Sequence, residues 1–461
     1  MARIASGYVD ARPRVVILGG GFAGLHAAKG LRRAPVHVTV VDRRNHHLFQ
    51  PMLYQVATAA LNPSDIANPI RSVLRKQMNT DVLLGEAVSV DVSAREVLLA
   101  DGVGLPYDYL VVGTGARHSY FGHDEWEAVA PGLKSLEDAL EIRKRVLLAF
   151  ELAERELLPE RRQALLTFVV VGGGPTGVEL AGALAEIRNY ALERDFRRIN
   201  PRAATVMLIE AGPRILSSYP ERLSERGVTA LRRLGVEVRV STTVTSVRDW
   251  SVQAGDWTIP TRTVLWAAGN LASPLLRSLG CPLDPQGRAI VEPDCSIPGH
   301  PEVFVLGDAA HFEDEEQGLL PGVCPVAIQM GEYVASLIAR ETAGEPGRPA
   351  FSYWNKGQLA VIGRGRAVAD IGRLHFDGLF AWLAWIFVHI FFLIGFRNRL
   401  LVMIQWAYSY VTYQRGARLI TGEAGPGTPT RPVTDLPTSP PAARAGASSP
   451  AAVADAPAAG P

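Results

Sequence analysis

The hydrophobic pattern of the chain changes period several times, and each change marks an element. Residues 14–18 (RVVIL) and 167–171 (TFVVV) are short, β-branched and free of charge after the first position. Such runs predict strands buried on both faces of a parallel sheet. Each stops at a glycine cluster, GGGFAG at 19–24 and GGGPTG at 172–177, and then becomes an Ala/Leu-rich stretch with helical spacing. Each helix leads to another apolar run ending in an acid: HVTVVD, closing at Asp42, and TVMLIE, closing at Glu210. The pattern therefore predicts one strand–loop–helix–strand opening used twice, an internal repeat. The second copy has a longer gap before its acid. Residues 188–203 read as an extension of the helix plus a loop.

Three further apolar runs end at glycine: YDYLVVGTGA (107–116), TVLWAAGN (263–270) and VFVLGDAA (303–310). Parallel strands that stop at glycine deliver backbone to a ligand at their carboxyl ends. Past Gly344 the character shifts. Residues 351–372 read as β-rich, and 379–396 form an apolar run broken only by His389. An RNR segment separates it from a second apolar run at 400–413. From about Glu423 the chain is rich in Pro, Ala, Gly and Ser, a composition that predicts a disordered tail.

Composition narrows the classes. A length of 461 residues allows two or three domains, and 48% hydrophobic with 20% charged residues describes a globular protein. The net charge of +1, with no basic stripe, argues against nucleic acid as a partner. Cys281, Cys295 and Cys324 are far apart and form no C-x-x-C pair. No disulfide framework, dithiol relay or metal site is expected, which fits a reducing compartment. The first residues, MARIASGYVDARP, lack the apolar stretch of a secretory signal.

The glycine clusters carry the chemistry. In the first, Gly19 permits a tight turn, Gly21 lets backbone approach a pyrophosphate, and Gly24 lets helix pack on strand, with Phe22 and Ala23 between them. The helix N-terminus then offers N–H groups and a positive dipole to the phosphates. Asp42 would accept hydrogen bonds from ribose hydroxyls, and a plain surface acid is the alternative. Arg43 follows it, but the acid would repel a 2′-phosphate, which favours FAD here. The second cluster holds Gly172, Gly174, Pro175, Thr176 and Gly177. Its acid, Glu210, favours NADH over NADPH for the same electrostatic reason, and Ala268 and Gly269 would lie on the NADH side as well. Glu179, early in the second helix, is either a dipole partner or a catalytic group facing nicotinamide and flavin. Asp308, after a strand-end glycine, would bind ribityl hydroxyls.

At this point the chain resembles the two-dinucleotide-binding flavoproteins, and more closely the type II NADH dehydrogenases. The resemblance runs from about Arg14 to Ile420. It rests on NHHLFQPMLYQVATAALNPSDIANPIR (45–71), LPGVCPVAIQMGEYVA (320–335) and the aromatic block from Trp382 to Arg418. It implies an α/β fold with two Rossmann-like domains in a glutathione-reductase-like arrangement, the second inserted in the first. The implied domains are 12–130 with 271–344 for FAD, 131–270 for NADH, and a C-terminal membrane-associating helical region at 345–422. Residues 423–461 remain as the tail. The resemblance further implies that Gln50, Pro51, Tyr54, Gln55 and Thr58 lie along the flavin, with Val88, Thr114, Gly115, Ala327 and Ile328. Gln329 falls where the family places a quinone-pocket glutamine. Four positions earlier many members have a second glutamine, where this chain has Pro325.

The implied activity is non-proton-pumping electron transfer from NADH through FAD to a membrane quinone, menaquinone or ubiquinone. Rival readings are another flavoprotein reductase, a sulfide:quinone oxidoreductase and an NADH-sensing flavoprotein. The eighteen residues 379–396 are a marginal length for a span. Arginine on both flanks gives no inside bias. An amphipathic pair lying in the membrane surface is the expectation, with a homodimer on the cytoplasmic face of the cell membrane as the implied assembly. His389 reads as a packed residue.

Overall fold

The computed structural model describes residues 11–192, 195–412 and 416–421. The expected tail lies outside them. Arg14–Leu18 is the central strand of the first sheet, parallel to His37–Asp42 on one side and Tyr109–Val112 on the other. The full order is Ser296–Ile297, His300–Val305, Tyr109–Val112, Arg14–Leu18, His37–Asp42, Thr80–Leu84. The second sheet runs Val236–Arg239, Thr205–Ile209, Thr167–Val171, Thr263–Trp266, and is parallel throughout. In sequence, all four of its strands fall between Tyr109–Val112 and His300–Val305, so the second unit interrupts the first. Val169, Val170, Val206 and Leu208 are fully buried, as continuous apolar strands predict.

Helix packing sets where the strand ends point. The Phe22–Gly30 and Cys324–Thr342 helices cross closely because both present small residues. A Cβ at Gly331 would stand 2.4 Å from the Ala23 carbonyl oxygen, and one at Gly30 would stand 2.5 Å from the Ala335 methyl. This contact fixes the start of the second helix against the end of the first sheet.

The β-rich expectation for 351–372 resolves into an antiparallel meander of Gln358–Gly363, Arg366–Ile371 and Leu374–Gly378. It lies on the Pro175–Glu186 helix, where a Cβ at Gly182 would sit 1.8 Å from the Ile362 carbonyl oxygen. The apolar run after it is shorter as a helix than as a sequence. Leu379–Phe392 ends before Gly395, whose φ of +89° turns the chain, and Phe396–Thr412 returns. A 14-residue helix is about 21 Å long, short of the ~30 Å of a bilayer core. Among the described residues no helix is long and apolar enough to cross a membrane. Ala381 and Trp385 point inward and are buried, while Phe380 and Phe387 are 77% and 71% exposed.

Gly182→Ala forces a methyl against backbone that cannot retreat, so it should destabilise the protein by about 2 kcal/mol. Thermal unfolding should show a lower Tm. An unchanged Tm would mean that the meander is free to shift away from the helix.

Candidate functional site

The two glycine loops superimpose in their chemistry. Gly19 and Gly172 have φ of +102° and +108°, conformations that favour glycine. Their N–H groups donate to Val41 O and Ile209 O, each at 2.8 Å. A Cβ at Gly24 would lie 1.9 Å from Gly19 O, and one at Gly177 would lie 1.9 Å from Gly172 O. By contrast, a Cβ at Gly21 or Gly174 would meet nothing within 4 Å. The middle glycines are therefore the open face, where a phosphate group can reach backbone N–H groups at a helix N-terminus.

The acids close the same loops. Asp42 accepts from the Gly20 and Arg44 N–H groups at 2.6 and 2.7 Å. Glu210 accepts from the Gly173 and Gly212 N–H groups at 2.5 and 2.6 Å. Each carboxylate keeps further lone pairs for ribose hydroxyls. Arg43 is exposed, and so are Pro175 and Thr176 on the second loop.

The first loop sits among residues suited to a flavin. A Cβ at Gly19 would touch the Gly113 carbonyl at 2.4 Å, which brings Thr114 and Gly115 alongside. Among the described residues the buried Thr114 hydroxyl has no hydrogen-bond partner, and a bound polar group would satisfy it. Gly307 and Asp308 line a cleft of about 500 Å³ with Ala116, Asn270, Gly322 and Met330. The Ala327 methyl packs against Gly307, at 3.0 Å from a Cβ built there, and Ile328 follows it half-buried. Gln50 is exposed and donates to Lys134 O at 3.1 Å. Val88, expected beside the flavin, is exposed and lies where the strand pairing skips from Ala87 to Ser89. These features fit FAD.

His47 is a residue that the motif reading passed over. It is 2% exposed, and its Nδ1 donates to Gly20 O at 3.0 Å. Phe22 stands edge-on to it at 4.9 Å. Burial pushes its pKa down to about 4, so it is neutral beside the loop, and among the described residues its Nε2 has no hydrogen-bond partner. No spacing rule distinguishes it from His46, and only burial does.

Other residues assigned to the flavin gather elsewhere. Gln55 donates to the Tyr54 hydroxyl at 3.0 Å and accepts from Trp406 Nε1 at 2.8 Å. Thr58 donates to Tyr54 O at 2.8 Å. Together they line a second cleft of about 720 Å³ with Glu179, Trp382 and Trp385. Thus Glu179, which lies beyond the first turn of the Pro175–Glu186 helix, is set among the helices of the C-terminal block instead of acting as a first-turn dipole partner. Burial pushes its pKa up to about 8, against weaker opposing contributions from the Val361 N–H, at 3.4 Å, and the Trp385 indole.

Gln329 is engaged at both ends of its amide. It donates to Trp354 O and accepts from Trp354 N–H, each at 3.0 Å. Lys356 stands over the Trp354 ring at 5.0 Å and the Phe392 ring at 5.8 Å. Pro325 occupies the first turn of the Cys324–Thr342 helix and offers no amide. Gly269, with φ of +71°, lies against Phe121 on the side of the second loop, next to Ala268.

Comparison with known proteins decides the family. Residues 13–331 match the pyridine nucleotide-disulphide oxidoreductase model, and residues 355–413 match the NDH2 C-terminal domain. A type II NADH:quinone oxidoreductase of Mycobacterium tuberculosis is 45% identical over 89% of this chain and 91% of its own. The chain belongs to the type II NADH:quinone oxidoreductase family. An internal alternative NAD(P)H-ubiquinone oxidoreductase of Arabidopsis thaliana is 30% identical, over 87% of this chain and 84% of its own. The fold matches an NDH2 from Plasmodium falciparum, solved with NADH, at a TM-score of 0.81 and 20% identity, over 89% of this chain and all of that one. A sulfide:quinone oxidoreductase from Aquifex aeolicus matches less closely, at 0.68 and 20% identity over 84% of this chain and 92% of that one. The C-terminal match coincides with the meander and helix pair that enclose Glu179.

Because Glu179 ionises near pH 8 when folded and near 4.5 when unfolded, the folded state binds the extra proton between those values. Its contribution to stability is complete at low pH and falls as pH rises through that window. Glu179→Gln should flatten this decline in Tm relative to wild type. Parallel curves for both proteins would show that the carboxyl is not buried as described.

Proposed function

We propose that the protein oxidises NADH at the second loop and passes two electrons to a quinone, with FAD held at the first. The carrying observation is the pair of matched glycine loops, each closed by its own carboxylate, in a chain of this family. FAD, when bound, supplies the chemistry of accepting a hydride and releasing electrons singly or in pairs. The protein's part is positional. Backbone at Gly21 and Gly174 is open toward the two pyrophosphates, and Asp42 and Glu210 receive the riboses. Glu210 also places negative charge where NADPH carries its 2′-phosphate. Glu179 keeps a proton at neutral pH, available to a reduced quinone.

Electron transfer through a cysteine pair has no support here, because burial pushes the Cys281, Cys295 and Cys324 thiols up, away from the thiolate form. The quinone is proposed to approach from the membrane side of the C-terminal helices, past the segment containing Pro325 and Gln329. That segment belongs to the site even though the Gln329 amide is already committed to Trp354. Phe380, Leu383, Phe387 and Phe391 form an exposed apolar face on one helix, and Met403 and Ile404 add to it from the other. This face supports a peripheral, monotopic seat on the membrane, proposed on its cytoplasmic side. The homodimer implied by the family resemblance is part of the same proposal.

Mixing NADH with the purified, FAD-loaded protein should bleach the oxidised flavin band, and a quinone should restore it. Failure of quinone to restore the band would disprove the acceptor. In the same assay, Glu210→Ala should narrow the preference for NADH over NADPH by about tenfold, the effect of roughly 1.4 kcal/mol.

Replacing Phe380, Phe387 and Phe391 with serine removes most of the exposed aromatic face. The variant should move from sedimented vesicles to the supernatant, while NADH bleaching is retained. Full retention on vesicles would argue against this face as the seat.

A further inference from the structure

The two glycine loops share one further contact, made by different chemistry in each. The residue after the first glycine gives its N–H to the acid, and its carbonyl is held as well. In the second loop, Gly173 O accepts from the Leu216 N–H at 2.7 Å. Leu216 is 1% exposed and takes φ of +49°, a left-handed backbone that leucine rarely adopts. In the first loop, Gly20 O accepts from His47 Nδ1 at 3.0 Å. His47 and Leu216 each follow the acid of their own unit within a few residues, so the two donors hold corresponding places in the repeat.

This contact governs an N–H. A trans peptide is planar, and its C=O and N–H point opposite ways. Drawing Gly20 O toward His47 therefore turns the Gly21 N–H away from it, and a Cβ at Gly21 would meet nothing within 4 Å. Gly20 is fixed on its other sides too. Its N–H donates to Asp42 at 2.6 Å, and a Cβ there would stand 2.3 Å from Ile70 Cδ1.

The imidazole is itself held in place. Its strand, His46–Leu48, pairs with Ala67–Pro69, where His47 lies opposite Asn68. Phe22 packs edge-on to the ring, and Phe49 packs edge-on to Phe22 at 5.9 Å. A carbonyl can only accept, so the proton of the neutral ring is on Nδ1.

We propose that His47 is a positioning residue of the first loop, its Nδ1–H holding the Gly20 carbonyl so that the Gly21 N–H is aimed at the pyrophosphate of FAD. The NADH loop uses a backbone amide for the same task. Retention of FAD thus depends on a replaceable side chain, and binding of the nicotinamide nucleotide does not. This inference rests on the reading of the first loop as the FAD site.

The test compares His47→Leu, which removes the donor, with His47→Asn, whose amide N–H can stand in for Nδ1. FAD release from full-length, loaded protein is followed by the rise of free flavin fluorescence, and the bound pyrophosphate by phosphorus NMR. His47→Leu should release FAD about tenfold faster, the effect of one buried hydrogen bond, and should move the pyrophosphate resonances. His47→Asn should restore most of the retention and return the resonances toward wild type. Affinity for NAD+, which reports on the second loop, should stay the same in both.

Unchanged release and resonances in His47→Leu, with faster release in Asp42→Ala, overturn the role of His47 and leave the first loop as the FAD site. Retention of FAD in Asp42→Ala equal to wild type overturns that site reading itself. Equal loss in His47→Leu and His47→Asn makes the ring a packing group and refutes the proposal, as does a matching loss of NAD+ affinity. If His47→Leu cannot be loaded with FAD, nitrogen NMR of His47 in loaded wild type decides the matter. A proton on Nδ1 supports the proposal, and a proton on Nε2 with Nδ1 bare refutes it.

Discussion

The structure depends on a contact too close for any side chain. At each loop the third glycine lies against the carbonyl of the first, where a methyl would stand 1.9 Å from oxygen. That approach presses the helix start onto the strand end, so the free N–H groups converge on the open face beside the middle glycine. Everything nearer the ligands follows from it. The acids can bridge the loops because the strand that carries each acid ends level with the first glycine, whose N–H it receives. A larger residue at either position would push helix and strand apart and disperse the donors.

Much of this was legible because local pattern and global fold agree. Buried parallel strands need no alternation, so RVVIL and TFVVV announced themselves, and glycine spacing located both loops. Asp42 and Glu210 were readable because a strand end fixes their place. The residues that proved harder to place depend on long-range packing. Gln55 and Thr58 sit on a short helix whose facing partner, Trp406, lies hundreds of residues away in sequence. His47 differs from its neighbour His46 only in burial. The run at 379–396 read as one apolar stretch because hydropathy does not register the left-handed turn at Gly395.

Glu179 takes its setting from elements distant in sequence. As a sequence position it is an acid early in a helix, open to a dipole role or to a catalytic one. In the fold, the meander and the C-terminal helices pack around it, and desolvation outweighs the opposing contributions of the Val361 N–H and the Trp385 indole. Its chemistry is set by elements that follow it by nearly two hundred residues.

The reciprocal pair between Gln329 and Trp354 has a mechanical consequence. A side-chain amide bonded to both backbone groups of one residue imitates a rung of β-ladder, so the helix carrying Gln329 and the strand-like segment at Trp354 act as one piece. Lys356 extends that piece over the Phe392 ring at the end of the apolar helix. Phe392, Lys356, Trp354 and Gln329 thus form one line of contacts from the apolar helix to the helix that carries Ala327. The end of the apolar helix and the helix packed beside Gly307 are therefore joined by side-chain contacts as well as by the chain.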